Sequence, residues 1–499
     1  MQENRSLNEP PVEFPPEDKK DSNQQNQKTP TSAENKHIKT VQNSMTVSNK
    51  GELKSSKQNE QNATSQQAKI PSQAELKPKK SMKLIIILFF IVLLSVTTFL
   101  FLNKSNKTPV DRPDSLTPEA SPSPSSFEIS SSHNSFGIDV FKNIYETEEE
   151  NTNIMISPSS IALALSMTYN GADEKTKEEM AKVLYFNGFD IKEVNKASNG
   201  LIQTLSNPDP KVEIAIANSI WTKDGVNILK EFYDQNEKFY EAKVQTLNFS
   251  DDSAADTIND WVSKNTKDKI PTIVEKPISE NVIMYLINAI YFNGSWTYEF
   301  DQSLTEKQKF TASDQSTTTH PLMTQGREDF NYLETEDFQA ASLPYGENKQ
   351  LSMYVFLPKD NLDNFISLLS GNKLTDKTFS VREGTLLLPK FKLEYEKELS
   401  ESLINLGMPE AFSNDANFSK MVESNDVKIS KVLHKTFIDV NEEGAEAAAA
   451  TSVKMVYGGV SENNPKPFYM EVNKPFFYAI VDGESSEILF MGVVRKPEL

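Results

Sequence analysis

Asn441 to Ser452 reads NEEGAEAAAATS, and the stretch sets local propensity against its context. Alanine and glutamate are strong helix formers. The ten residues before it, KVLHKTFIDV (Lys431 to Val440), alternate β-branched and aromatic side chains as a strand does. A strand that runs through a glycine into poly-alanine leaves two readings. Either Glu446 to Ala450 forms a short surface helix, or its small side chains serve a purpose other than local structure.

Outward from there, the 499 residues divide by composition. Residues 1–80 are dominated by Gln, Asn, Ser, Lys, Glu and Pro, with almost no aromatics. They hold too little apolar surface to offset chain ordering and predict a disordered tail. From Leu84 to Leu102, LIIILFFIVLLSVTTFLFL is nineteen residues without a charge. At about 1.5 Å per residue that nearly matches a hydrocarbon core of about 30 Å, which predicts a transmembrane helix over 81–102. A cleaved signal peptide fits poorly, because about eighty residues precede the run and no small-x-small pattern follows it. Lys77, Lys79, Lys80 and Lys83 crowd its N-terminal flank, while Lys104, Lys107 and Arg112 follow more sparsely. The positive-inside bias then predicts an inside N-terminus and an outside, extracellular C-terminal part. Residues 103–126 are rich in Pro and Ser and predict an extended stalk.

Residues 127–499 carry the apolar content and periodicity of a globular domain. SSIALALSMTYNG (Ser159 to Gly171) is apolar on nearly every face and suits a buried helix, with Ser157-Pro158 as its start signal. KVEIAIANSIWTK, NVIMYLINAIYFNGSW and QLSMYVFLP are β-type runs, some continuous enough to be buried on both faces. TLLLPKFKLEY alternates, and FFYAIVDGESSEILFMGVV reads as two strands around a turn. Helices early and mostly strands later indicate an α+β fold.

The chemistry of the chain narrows its function. With no cysteine, disulfides, thiol nucleophiles and cysteine-ligated zinc are excluded together. A net charge of -19 without a basic face argues against nucleic-acid binding. Four histidines are present: His37 in the tail, His133 at the domain's edge, and His320 and His434 within it. His434 lies in a strand-like run, which favours a hydrogen-bonded core histidine over a catalytic base. No HExxH helix, GxSxG elbow or GxxxxGK[ST] loop occurs. The expectation is a protein that is not an enzyme and needs no metal or cofactor.

Taken together, NIMISPSSIALALSMTYNGADEKTKEEM, LINAIYFNGSW, HPLM, LPY, LPKF, VLHKTFIDVNEEGAEAAAAT and NKPFFYAIVD followed by ILFMGVVRKP resemble the serpin family over residues 127–499. The resemblance implies about eight or nine helices around three sheets, with an exposed reactive loop over about 442–466. It implies a monomeric inhibitor that acts as a suicide substrate: a protease attacks the loop, and the cut loop inserts into the central sheet and traps the acyl-enzyme. The target it implies is a serine protease, with papain-like cysteine proteases as an alternative. A non-inhibitory binding or adhesion protein at the cell surface is the competing reading, and the small residues of the loop disfavour it.

On this resemblance, Glu442, Glu443 and Gly444 match the proximal hinge, and Ala445, Glu446, Ala447, Ala448, Ala449, Ala450 and Thr451 match the first segment to insert. Strand alternation puts Ala445, Ala447, Ala449 and Thr451 on one face, all small and uncharged, as insertion over a packed core demands. The family often has threonine at Ala445, so alanine is a mild departure. A hinge role for Gly444 competes with that of an ordinary turn glycine. Ser157, Ser160, Asn288 and His434 match a polar cluster that controls strand opening, and Trp296 matches an aromatic near the point of first insertion. Counting from Gly444 places the scissile bond among Tyr457, Gly458 and Gly459, with Lys454 too early and Lys466 too late for ordinary insertion.

Overall fold

The computed structural model describes residues 126–499 apart from 207, 371–373, 375–378, 424–426 and 446–465. The expected tail, membrane helix and nearly all of the stalk lie outside the described residues. So do the insertion residues Glu446 to Thr451 and the bond region Tyr457, Gly458 and Gly459. Among the described residues no helix is long and apolar enough to cross a membrane.

Eight α-helices and fifteen strands are present among the described residues. The helices are α1 (Ser126–Thr147), α2 (Pro158–Tyr169), α3 (Glu174–Val183), α4 (Ile191–Ser206), α5 (Lys230–Tyr240), α6 (Ser253–Asn265), α7 (Leu362–Ser367) and α8 (Ser400–Leu406). All but α7 and α8 precede residue 266, so the α+β expectation holds. The helix expected from SSIALALSMTYNG is α2, buried at all twelve positions. Ser157 is its N-cap and Pro158 its first residue, where a missing N–H costs nothing.

Among the described residues the strands join into two hydrogen-bonded sheets, where the resemblance implies three. One has six strands in the order β10 (Phe391–Glu398), β11 (Lys431–Val440), β12 (Gly444–Ala445), β4 (Met284–Ser295), β2 (Val212–Lys223) and β3 (Lys243–Leu247). The other has nine: β1 (Ile154–Ile156), β15 (Ile488–Val494), β14 (Phe476–Asp482), β8 (Leu351–Pro358), β7 (Phe338–Pro344), β6 (Thr317–Glu334), β9 (Ser380–Pro389) and β13 (Phe468–Glu471), with β5 (Glu306–Thr311) also on β6. The 18-residue β6 causes the fusion. Its residues Thr317 to Leu322 pair with β5, Leu322 to Tyr332 with β9 and Asn331 to Glu334 with β7, and a bulge between Arg327 and Phe330 bends it.

Helix α2 packs against β4 of the smaller sheet and β15 of the larger, in the middle of the main apolar core. A second core lies on the opposite face of the smaller sheet. There α6 and the segment after it bring Ile258, Val262, Ile270 and Ile273 onto Ala289, Leu433 and Phe437 of β4 and β11. Both faces of those two strands are thus buried, which explains their nearly unbroken apolar sequence.

Candidate functional site: the seam between two central strands

Strands β11 and β4 run parallel and pair from Lys431 with Tyr285 to Phe437 with Tyr291. Beyond that point they diverge, and Gly444 and Ala445 enter between them as β12. Ala445 pairs with Val440 on one side and Gly294 on the other. The alanine is fully buried. Gly444 has φ +150, and a Cβ there would lie 2.1 Å from the Gly294 carbonyl oxygen. Only glycine fits so close an approach at that torsion. Gly444 and Ala445 are thus strand, while Glu446 to Ala450, on which the opening alternatives turn, lie outside the described residues.

Trp296, just past the end of β4, holds the root of this strand. Its Nε1–H donates to the Asn441 carbonyl at 2.9 Å and its backbone N–H to the Glu443 carbonyl at 2.9 Å. The indole stacks on Tyr345 of the LPY segment, with centroids 4.3 Å apart. Glu442 is buried, and its carboxylate accepts from Lys390 Nζ at 2.7 Å and Thr305 Oγ1 at 2.8 Å. Burial raises the pKa of this carboxyl, but the bonds from Lys390 and Thr305 outweigh that, leaving it below the usual carboxylate value. His320 of the HPLM segment supports the same corner through its Nε2, which bonds the Lys390 carbonyl.

The polar residues singled out by the resemblance converge at the paired end of the seam, beneath the start of α2. His434 lies abreast of Asn288 in the β11–β4 register, and Asn288 abreast of Asn218 in the β4–β2 register. The Asn288 amide nitrogen donates to Ser160 Oγ and to Asn218 Oδ1. Its oxygen therefore accepts from His434, which fixes the Nδ1–H tautomer. The free His434 Nε2 accepts the Ser157 N–H at 3.1 Å, and Ser157 Oγ accepts the Ser160 N–H at 3.3 Å. All of these side chains are buried, and burial depresses His434 to a pKa of about 3. The ring is a neutral, hydrogen-bonded core histidine, as its place in a strand predicts.

Asn218 went unnoticed in the sequence. Its signal is a lone asparagine inside the apolar run VEIAIANSIW, where a buried amide needs a partner. His133, placed by sequence at the domain's edge, is fully buried, with Nδ1 2.9 Å from Glu487 of the β14–β15 turn. Among the described residues no cluster of side chains is arranged to hold a metal ion.

Three comparisons bear on this arrangement. The family profile described as Serpin (serine protease inhibitor) matches residues 131–497. An uncharacterized serpin-like protein of Methanosarcina acetivorans is 36% identical over 385 residues, covering 75% of this chain and 89% of the relative. The leukocyte elastase inhibitor of Equus caballus is 31% identical over 386 residues, 74% of this chain and all of the relative. Among solved structures, that of the thermophilic serpin tengpin in its native state aligns with a TM-score of 0.68 at 32% identity. It covers 79% of this chain and 98% of tengpin.

Proposed function

The chain belongs to the serpin family, and from that membership we propose that it inhibits proteases as a suicide substrate. One observation carries the reading: a strand already begun between β11 and β4, at the end of a seam whose strands remain paired. The loop from 446 to 465 is the bait. A protease nucleophile adds to a loop carbonyl, the peptide C–N bond breaks, and the new amine takes the proton that the protease's general acid returns. The protease remains bound as an ester, or as a thioester if its nucleophile is a thiol.

Cleavage frees the segment after Ala445 from its distal attachment at β13, and it extends β12 along the seam. A strand of about a dozen residues forms on the order of ten ladder hydrogen bonds, each contributing about 0.5–1.5 kcal/mol net. The uncut state is then kinetically trapped, and inhibition is a race between insertion and deacylation. Ser157, Ser160, Asn218, Asn288 and His434 hold the seam shut, while Trp296, Glu442 and Gly444 set where it opens. The scissile bond lies among Tyr457, Gly458 and Gly459. The target is a serine protease, a class consistent with the relative named for inhibiting leukocyte elastase, with papain-like enzymes second.

The span over 81–102 anchors the domain to a membrane, with the N-terminus inside and the inhibitor outside on its stalk. The lysine-rich flank and the uncharged run support this. Because the chain has no cysteine, single cysteines placed in the tail and in the domain can be labelled from one side of intact cells. Labelling of the tail alone would reverse the topology.

The main reading is tested by incubating the full-length protein in detergent with subtilisin, chymotrypsin, elastase and papain. A complex stable on a denaturing gel, with the cut mapped by mass spectrometry, is the expected result. Cleavage with complete release of every protease would refute inhibition.

A further inference from the structure

Three consecutive carbonyls at the root of β12 are bonded by one short segment, residues 296–300. Trp296 Nε1–H, Phe300 N–H and Trp296 N–H donate in turn to the carbonyls of Asn441, Glu442 and Glu443, each at 2.9 Å. The segment lies between β4 and β5 and belongs to neither, so its backbone must be fixed from elsewhere. One end is tied to the turn after β7, where Thr297 donates to the Pro344 and Gly346 carbonyls at 2.8 and 2.6 Å.

The middle is tied to β6 through Tyr298. Gln325 Nε2–H donates to the Tyr298 carbonyl at 2.6 Å. Two residues along β6, the Arg327 guanidinium lies 3.7 Å from the centroid of the Tyr298 ring. The Arg327 side chain is only 8% exposed, and attraction between a cation and an aromatic face strengthens as water is withdrawn. The bulge leaves Glu328 and Asp329 on β6 against Glu383 alone on β9, and there Asp329 accepts from Arg327 Nε at 2.9 Å and from the Tyr298 hydroxyl at 3.2 Å. Lys349 Nζ donates to the same hydroxyl at 2.8 Å. Asp329 is 54% exposed and Lys349 is exposed, so water can replace the hydroxyl for both. The ring face that meets Arg327 has no such substitute.

We propose that Tyr298 is a positioning residue for loop insertion: its ring, clamped by Arg327, fixes the 296–300 backbone so that the uncut loop waits with Gly444 and Ala445 already paired in the seam. This rests on the inhibitor reading, because only an inserting loop gains from a strand already begun. Starting a strand orders residues before the ladder compensates for them, so a loop that must start later gives deacylation more time.

The test compares Tyr298→Leu, Arg327→Met, the two together and Tyr298→Phe with the parent, all full-length and with Trp221 and Trp261 replaced by phenylalanine. Three quantities are read: the rate of the first loop cut, the ratio of released to trapped protease, and the Trp296 emission of the uncut form. Tyr298→Leu and Arg327→Met are each expected to raise the ratio about two- to tenfold, the scale of a shielded cation–π contact. Both should shift the emission to the red and leave the cutting rate at the parent level. The double variant should do no more than either single one, since both remove the same contact. Tyr298→Phe keeps the ring and should match the parent.

Parent values of ratio and emission in both single variants would overturn the proposal. Effects that multiply in the double variant would do the same, as would a Tyr298→Phe as impaired as Tyr298→Leu. A red shift without a change in the ratio would show that the clamp serves the fold and not insertion. If the parent traps no protease, the inhibitor reading itself fails, and the emission separately decides whether Arg327 and Tyr298 hold the root of β12.

Discussion

Lys390 Nζ stands 2.7 Å from the Glu442 carboxylate, which ties the root of β12 to the corner between β9 and β10. The Glu442 side chain is 7% exposed and that of Lys390 29%, so the pair is shielded enough to matter, unlike most surface ion pairs. Glu442→Gln is expected to lower the stability of the intact protein by about 1–3 kcal/mol, measured by urea unfolding at neutral pH. The pH dependence has a definite sign. A carboxylate depressed in the fold stabilises fully above its unfolded pKa, near 4.5, and loses that contribution as pH falls through the folded value. The gap between parent and variant should hold from pH 7 to about 5 and close at lower pH. A gap that widens in acid would contradict the assignment.

His434 gives a second pH dependence in a different window. Its folded pKa of about 3 lies below the ordinary 6.5, so between those values the unfolded chain takes up a proton that the folded chain refuses. Stability is complete above pH 6.5 and falls by about 1.4 kcal/mol per pH unit below it, until the folded ring also titrates. Protonation would also set an Nε2–H against the Ser157 N–H that it now accepts. Melting curves from pH 7 to 4 should show His434→Gln less stable at pH 7 yet less sensitive to acid. Parallel curves for parent and variant would reject a neutral buried ring.

Much of this arrangement was legible in the chain, and what was not has physical causes. Ser157-Pro158 marked the start of α2 because capping is local chemistry. The apolar runs marked β2 and β4, since strands buried on both faces need little else. TLLLPKFKLEY was misleading: its alternation continues across Lys390, yet the residues on either side belong to β9 and β10 of different sheets. Local periodicity carries no mark of a corner at which both strands keep their pattern. The two-residue β12 was equally hidden, because its pairing with Gly294 and Ser295 joins residues far apart in sequence. Resemblance brought Ser157, Ser160, Asn288 and His434 together before any geometry was known. It passed over Asn218, the amide that completes their network.

Gly444 should be replaceable by nothing larger. An alanine Cβ would stand 2.1 Å from the Gly294 oxygen and 2.7 Å from Ser295 Cα, on backbone with φ +150. Backbone atoms on β4 have no rotamer with which to yield, so Gly444→Ala is expected to lift β12 out of the seam. Trp296 reports on this directly, because its N–H groups bond Asn441 and Glu443. With Trp221 and Trp261 replaced by phenylalanine in both proteins, the variant's emission should shift to the red. An unchanged spectrum would mean that β12 tolerates the methyl group.

Ala445→Arg tests the insertion step itself. Ala445 is fully buried between Val440 and Gly294, so an arginine there must either bury an unpaired charge at a cost of several kcal/mol or stay outside the sheet. The side chain lies far from the loop bond in sequence, so cleavage by the protease should proceed at nearly the parent rate. Insertion should slow, giving deacylation time to win. On a denaturing gel the parent is expected to yield mainly covalent complex, and the variant mainly cleaved loop with the protease still active. Complex formation by Ala445→Arg at the parent level would show that trapping does not require this segment to enter the seam.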